Sequence, residues 1–206
     1  MTIEPSKTYE GFLLHVFGDY RYFYYNGLPE DICSSLVGEE RIKAEKMVEQ
    51  AIRRLCIEER VIRAAGYLKI KTASTILQNR LKWTGFTLTK NTRSAIKWAI
   101  FKINRGQNNS EEILDIVTGQ NQNSVLSKPD AIDLLSEFGD DPRVIKILLD
   151  VFLSNNETLS ASAHSALCRI FKDNQDISNI LNKHGFGSPL YIRSSMVKHI
   201  EAYLPR

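Results

Sequence analysis

The chain has 206 residues and a mass of 23.5 kDa, a size that fits one domain or a short array of repeats. Apolar residues make up 43% and charged residues 25%, which excludes a disordered chain and is typical of a folded soluble protein. The formal net charge is only +3, and no apolar run reaches the ~18 residues that cross a bilayer. Because the first residues also lack the apolar core of a secretory signal, we expect a cytoplasmic location.

Three cysteines, Cys33, Cys56 and Cys168, are odd in number and widely spaced. None belongs to a Cys-x-x-Cys pair, so the sequence predicts neither a disulfide framework nor a cysteine-based zinc site. We expect small packing residues in a reducing compartment, in agreement with the cytoplasm.

Nearly everything after residue 38 is predicted to be helical, because apolar residues recur at intervals of three and four. Capping residues and prolines mark several helix starts, among them Ser110, Ser127 and Asp141-Pro142. The break near Ile57 contains neither Gly nor Pro and is the least clearly marked boundary. In chain order the predicted helices are 39–56, 58–70, 73–83, 91–104, 110–118, 128–138, 142–153, 158–171, 174–183 and 189–203.

The predicted helices form pairs that recur along the chain. A large apolar residue closes the first helix of each pair, and small residues precede it, which would let neighbouring helices approach closely. Such a unit, repeated every ~30–40 residues, is the signature of an α-solenoid. The alternative is an irregular helical bundle with an accidental period. The anchors are separated by 33, 37 and 33 residues and are Leu68, Phe101, Phe138 and Phe171.

Two segments carry a resemblance to a known repeat. Arg63–Leu68 (RAAGYL), followed by Ile76-Leu77 and Leu81, and Asp130–Pro142 are similar to HEAT-like units of the short bilin-lyase type. The resemblance covers residues 39–185. It implies an all-α, right-handed α-α superhelix, HEAT/armadillo-like, of about four helix pairs. It also implies a binding surface rather than a reaction, since HEAT-like families are mostly binding scaffolds.

The two ends of the chain fall outside the repeat. Residues 1–38 include six aromatics within nine residues, between Phe17 and Tyr25. We predict that this segment covers the open apolar end of the first repeat, as solenoids require. The alternative is that its tyrosines anchor an interface. Residues 186–206 are predicted to form the capping helix at the other end.

The net charge differs strongly from one segment of the chain to the next, although the total is only +3. Residues 1–38 carry a net −3, residues 39–106 +10, residues 107–156 −6 and residues 157–206 +2. Residues 60–110 contain eleven Lys and Arg and no Asp or Glu. We therefore predict a basic face, which would form one strip if successive first helices stack. Its residues are Arg60, Arg63, Lys69, Lys71, Arg80, Lys82, Lys90, Arg93 and Lys97, with Trp83, Trp98 and Phe101 as aromatic contacts.

Three interpretations of this charge compete. It could be a solvated face that balances the acidic segment 107–156 within the chain or in an oligomer. It could dock an acidic protein, with charge setting on-rate and specificity. It could bind a phosphate backbone, with Trp83 or Trp98 stacking on a base. A pI of 8.7 lies below the range of dedicated nucleic-acid domains.

No motif predicts catalysis, a metal or a cofactor. HEAT-like DNA alkylpurine glycosylases resemble the chain only in general architecture, and their pocket residues have no counterparts beside Trp83 or Trp98. Ser195–Lys198 matches Ser-x-x-Lys but lacks companion motifs. The four histidines show no metal-ligand spacing: His15, His164, His184 and His199.

The sequence therefore predicts a non-catalytic scaffold or adaptor, of an inhibitor or immunity type, that docks an acidic protein partner on the basic face. Nucleic-acid binding, including a remote glycosylase-like enzyme, is the alternative.

Overall fold

The computed structural model describes residues 5–19, 30–82, 88–104, 110–121, 124–185 and 187–203. Throughout these ranges the chain is all-α, with twelve α-helices, one short 3₁₀ helix and no strand. The chain divides into two compact units, residues 1–108 and 109–206. No helix in the described ranges has the length and apolar content that crossing a membrane requires.

The described residues of the first unit form six helices. Helix α4 packs most extensively on α6, and α5 lies against α6 as well. Helix α3 contacts α4 and α5, while α1 contacts α2, α3 and α4 and buries Phe12 and Val16 completely. The helices are α1 (Lys7–Phe17), α2 (Glu30–Ser35), α3 (Gly38–Arg53), α4 (Glu59–Tyr67), α5 (Lys71–Lys82) and α6 (Lys90–Ile103).

The part of the second unit that the structure describes forms six more helices and the 3₁₀ turn Ser136–Phe138. Helix α10 packs on both α8 and α9, and α7 packs on the same two helices. Helix α11 contacts α10 and α12. The helices are α7 (Ser110–Thr118), α8 (Lys128–Leu135), α9 (Pro142–Phe152), α10 (Glu157–Ile170), α11 (Gln175–Lys183) and α12 (Leu190–Tyr203).

All ten helices predicted from the sequence are confirmed, with ends within three residues of those observed. The capping residues explain this agreement: the Ser127 side chain accepts from the Asp130 backbone N–H, and Asp141 accepts from that of Arg143. Helices α1 and α2 were not predicted. Helix α1 is nevertheless capped by Ser6, which accepts from the Tyr9 N–H at 3.1 Å. Most of the aromatic run, residues 20–27, lies outside the described ranges.

The break after α3 is made by a left-handed residue other than glycine. Leu55 has φ +65°, its N–H donates to the Ile52 carbonyl, and the Cys56 N–H donates to the Ala51 carbonyl. This is the hydrogen-bond pattern of a Schellman motif, in which glycine usually occupies the left-handed position. Lys69, with φ +55°, ends α4 in the same way.

Close contact between α4 and α6 depends on small residues. A Cβ atom on Gly66 would lie 2.6 Å from Cζ3 of Trp98 and 3.1 Å from Cα of Ala99. Ala64, Ala65, Ala95 and Ala99 are all completely buried. The small residues that precede the anchors therefore do permit close packing between these helices.

Candidate binding surface

Three of the predicted basic residues are arginines whose guanidinium groups donate hydrogen bonds to other residues of the chain. Arg60 is 9% exposed, and its guanidinium donates to the Glu58 carboxylate and the Gly18 carbonyl. Arg80 is 7% exposed and donates to the carbonyls of Cys56 and Ile52. Arg63 is half-buried, donating to Glu59. Arg60 and Arg80 are therefore buried and not part of an exposed basic face, whereas Arg63 remains partly accessible.

Arginine at the carboxyl end of a helix is a recurring device in this chain. The last carbonyls of a helix have no partner within it, and a guanidinium fork can bind two of them together. Arg80 binds the end of α3, Arg41 donates to the Leu68 carbonyl that ends α4, and Arg193 donates to the Phe152 carbonyl that ends α9. The positive charge also suits the negative end of the helix dipole.

Lys102 is a further basic residue that the structure places inside. Its side chain is 2% exposed, and its Nζ lies 3.6 Å from the Glu30 carboxylate. The same Nζ lies 5.5 Å from the centroid of the Trp98 ring and 5.7 Å from that of Tyr67. The position of Lys102 four residues after Trp98, on the same helical face, is the sequence signal for this burial.

The remaining predicted cations lie on the surface. Lys69, Lys71, Lys82, Lys90 and Arg93 are exposed, and none of them forms an ion pair with a carboxylate of the described ranges. We call these five residues the basic surface. Among the other exposed cations of the same unit, Lys43 and Arg53 pair within their helix, Arg53 with Glu49 at 2.7 Å. Lys7, Lys46 and Arg54 are exposed and, like the basic surface, form no ion pair with a carboxylate of the described ranges, but they lie outside the acid-free stretch. Lys97 is half-buried and has an interaction partner.

The residues of the basic surface lie in two groups, one toward each end of α5. Lys69 and Lys71 flank the start of α5, whereas Lys82 ends α5 and Lys90 and Arg93 occupy the first turn of α6. Helices α5 and α6 run in opposite directions, as the hydrogen bond from Asn104 to Ser74 shows. At 1.5 Å per residue, α5 separates the two groups by about 17 Å.

The predicted aromatic contacts are not displayed beside these cations. Trp98 is completely buried, with its ring 4.8 Å from that of Tyr67 and the guanidinium of Arg63 5.1 Å from its centroid. The prediction that Trp98 contacts a partner is therefore corrected, because the α4–α6 contact encloses its ring. Phe101 is half-buried, and Trp83 lies outside the described ranges.

Two of the three cysteines, Cys33 and Cys168, have thiols whose pKa is raised by burial. Burial raises the pKa of the Cys33 thiol to about 12 and also raises the pKa of Cys168. Both thiols therefore stay protonated at neutral pH. Within those ranges no group of three His, Cys, Asp or Glu side chains is placed to hold a metal ion.

The acidic segment of the second unit is partly neutralised by its own arginines. Arg143 pairs with Glu111 at 2.5 Å and with Asp141 at 2.7 Å. Arg169 pairs with Asp133 at 2.5 Å. Three of the nine acidic residues of 107–156 are therefore paired with arginines of this unit.

The second unit also contains two cavities. One of about 510 Å³ lies between α11 and α12, with Ile180, Ile192 and Met196 among its lining residues. Another of about 220 Å³ lies where the α9–α10 turn meets the start of α12. Neither was predicted from the sequence, because each is formed by residues more than ten positions apart.

Comparison of the chain with protein-family models, with curated proteins and with solved structures finds no match.

Proposed function

We propose that the chain is a non-catalytic binding protein that docks an acidic protein partner on the basic surface. The observation that carries the proposal is the exposure of five cations that have no carboxylate partner in the described ranges. They lie in a stretch of 51 residues that contains no acidic residue at all. A partner that brings carboxylates would supply the charges that this stretch lacks, which raises the association rate and selects the partner.

A protein partner is favoured over nucleic acid because of Trp98. Proteins that bind single strands combine a basic groove with exposed aromatic rings on which bases stack. Trp98 is completely enclosed and cannot act as such a platform. The two groups of cations at opposite ends of α5 instead suit a partner with two separated clusters of carboxylates.

We further propose that each unit is built from HEAT-like helix pairs, the architecture of many binding scaffolds. Three contacts between residues 33 positions apart support this proposal, since two of the three separations between the anchors are 33 residues. Gly66 meets Ala99, Arg169 Nε donates to Ser136 Oγ at 3.1 Å, and Arg193 donates to Ser160 Oγ at 2.7 Å. The first two contacts join equivalent positions, each two residues before an anchor, and the third joins the last repeat to the C-terminal helix.

Two variants of equal net charge test the docking proposal. The first reverses the cations at the α5–α6 end: Lys82→Glu, Lys90→Glu and Arg93→Glu. The second, the control, reverses three exposed lysines of the second unit: Lys146→Glu, Lys172→Glu and Lys198→Glu. Affinity for a labelled Asp/Glu-rich peptide is measured by fluorescence anisotropy at low salt, with single- and double-stranded oligonucleotides as separate arms.

We expect the first variant to bind the peptide at least about tenfold more weakly than wild type, since three exposed pairs at ~0.5 kcal/mol each are lost. The control should lose less than about threefold, through long-range charge alone. Equal losses in the two variants would overturn the docking proposal. Tighter binding of either oligonucleotide than of the peptide would favour the nucleic-acid alternative.

A further inference from the structure

Helix α5 presents a straight line of exposed side chains between the two groups of cations. Lys82 follows Lys71 by eleven residues, which is about three full turns of helix. Both lysines therefore lie on the same side of α5, about 17 Å apart along its axis. Thr75 and Gln78 lie between them within the same sector, which is about 60° wide. All four side chains are exposed, and we call these four residues the α5 ridge.

The polar groups of the α5 ridge have no partner in the described part of the chain. Lys71 and Lys82 form no ion pair with a carboxylate there, and the Thr75 hydroxyl and the Gln78 amide form no hydrogen bond with another residue of those ranges. Two charges and two neutral hydrogen-bonding groups are therefore available to a ligand along one line.

An acid of α3 reaches the side of α5 but not the ridge. Hydrogen bonding to Arg53 and, to a smaller extent, to Thr72 of α5 lowers the pKa of Glu49. Arg53 pairs with this carboxylate at 2.7 Å. Thr72 lies about 100° around the helix from Lys71. Glu49 is therefore already paired and leaves the α5 ridge open to the carboxylates of a partner.

The side chains of the ridge suit an extended partner segment better than a helical one. A helix docks by laying an apolar face into an apolar groove, and the α5 ridge has no apolar side chain. The backbone groups of a helix are paired within it, whereas an extended segment presents its N–H and C=O groups to a neighbour. The Thr75 hydroxyl and the Gln78 amide can each donate and accept such hydrogen bonds. Acid-rich segments also extend because their like charges repel.

We infer that the α5 ridge binds an extended acidic segment of the partner, with two clusters of carboxylates about five residues apart. An extended chain advances about 3.3 Å per residue, so about five residues span the ~17 Å between the lysines. One cluster pairs with Lys71 and the other with Lys82, while the neutral residues between them contact Thr75 and Gln78. This inference rests on the proposed docking function and specifies the conformation and the charge spacing of the bound segment.

Labelled, end-blocked peptides with four aspartates each test this spacing in fluorescence-anisotropy titrations of the full chain at low salt. The matched peptide is Asp-Asp-Ser-Ser-Ser-Asp-Asp. The short peptide, Ser-Asp-Asp-Ser-Asp-Asp-Ser, has the same composition and charge, but its two clusters are only about 10 Å apart when extended. A helical peptide places two aspartate pairs about eleven residues apart in an alanine-rich sequence, which spans the same ~17 Å as a helix. A single-stranded oligothymidylate with four negative charges is a separate arm.

The variant used is Lys71→Gln, which removes one end of the ridge. Its control is Lys7→Gln, which removes another exposed lysine of the first unit that has no ion pair in the described ranges. Lys7 belongs to α1, which packs on α2, α3 and α4. Both variants change the net charge equally, and exposed substitutions of this kind leave folding almost unchanged.

We expect the matched peptide to bind wild type at least about threefold more tightly than the short peptide, because only the matched peptide reaches both lysines. This ratio of affinities should fall to about one in Lys71→Gln and keep its wild-type value in Lys7→Gln. A smaller ratio in wild type, equal ratios in the two variants, or tighter binding of the helical peptide or of the oligothymidylate would overturn the inference. Equal binding of the matched and short peptides would leave the docking proposal in place, whereas no saturable binding of any peptide would overturn both.

Discussion

Replacing Arg80 by methionine should destabilise the first unit far more than the same change at Arg93. Both arginines belong to the acid-free stretch, but Arg80 is 7% exposed and donates to two carbonyls, whereas Arg93 is exposed. Methionine fills much of the same space and has no donor. Arg80→Met therefore leaves the carbonyls of Ile52 and Cys56 without their partner, while Arg93→Met removes only a solvated charge.

The magnitude follows from these contacts. A hydrogen bond to a charged group contributes about 1.5–3 kcal/mol, so two contribute about 3–6 kcal/mol. Burial lowers the pKa of Arg80 because it disfavours the charged form, and methionine recovers that desolvation cost. We expect a net loss of about 2–4 kcal/mol for Arg80→Met and less than about 0.5 kcal/mol for Arg93→Met.

Urea unfolding followed by tryptophan fluorescence measures this difference. Both tryptophans of the chain, Trp83 and Trp98, belong to the first unit, so the signal reports that unit alone. With a slope of about 2 kcal/mol per molar urea, Arg80→Met should lower the midpoint by about 1–2 M. Equal midpoints for the two variants would refute the conclusion that Arg80 has a structural role.

Three further stability measurements test particular contacts in the first unit. Gly66→Ala should lower the free energy of unfolding by about 1–3 kcal/mol, because its Cβ would lie 2.6 Å from Trp98. Gly11→Ala, whose Cβ would have its nearest neighbour 3.7 Å away, should raise the free energy of unfolding by up to about 1 kcal/mol. A change of the same sign in the urea midpoints of both variants would contradict this. Leu55→Gly should raise the free energy of unfolding by about 0.5–1 kcal/mol, since only glycine adopts φ +65° without strain, and a lower urea midpoint would refute it. Hydrogen bonds from the Ser6 hydroxyl and N–H hold the pKa of Glu40 below its ordinary 4.5, so its stabilisation is complete above that pH and lost as pH falls through the folded-state pKa. The stability difference between wild type and Glu40→Gln should therefore shrink as the solution is acidified, and a constant difference would count against the assignment.

The helices were predictable because their signals are local. Ser127 and Asp141 each cap the helix that begins one residue later, so a short stretch of sequence contains the whole cause. The end of α3 lacked such a signal, since Leu55 rather than glycine takes the left-handed conformation. Helix α1 has a capping serine in Ser6 but lies outside the repeat on which the prediction was based.

The division of the basic residues into internal and external ones was not predictable from spacing alone. The acceptors of Arg80 lie 24 and 28 residues earlier in the chain, and the Gly18 carbonyl lies 42 residues before Arg60. Only the packing of distant helices shows which cations meet such acceptors. The residue types did contain one signal, because a buried arginine can donate hydrogen bonds to two acceptors at once and lysine is less suited to this. Arg60 and Arg80 are buried, whereas four lysines form most of the basic surface.

The central claim is that the exposed cations of the first unit, and not net charge, bind an acidic partner. It is tested most directly by the ratio of acidic-peptide affinities of the two triple charge-reversal variants, which have equal net charge. We predict that reversal at Lys82, Lys90 and Arg93 binds at least about threefold more weakly than reversal at Lys146, Lys172 and Lys198. A ratio of one, with both variants folded, would contradict the account.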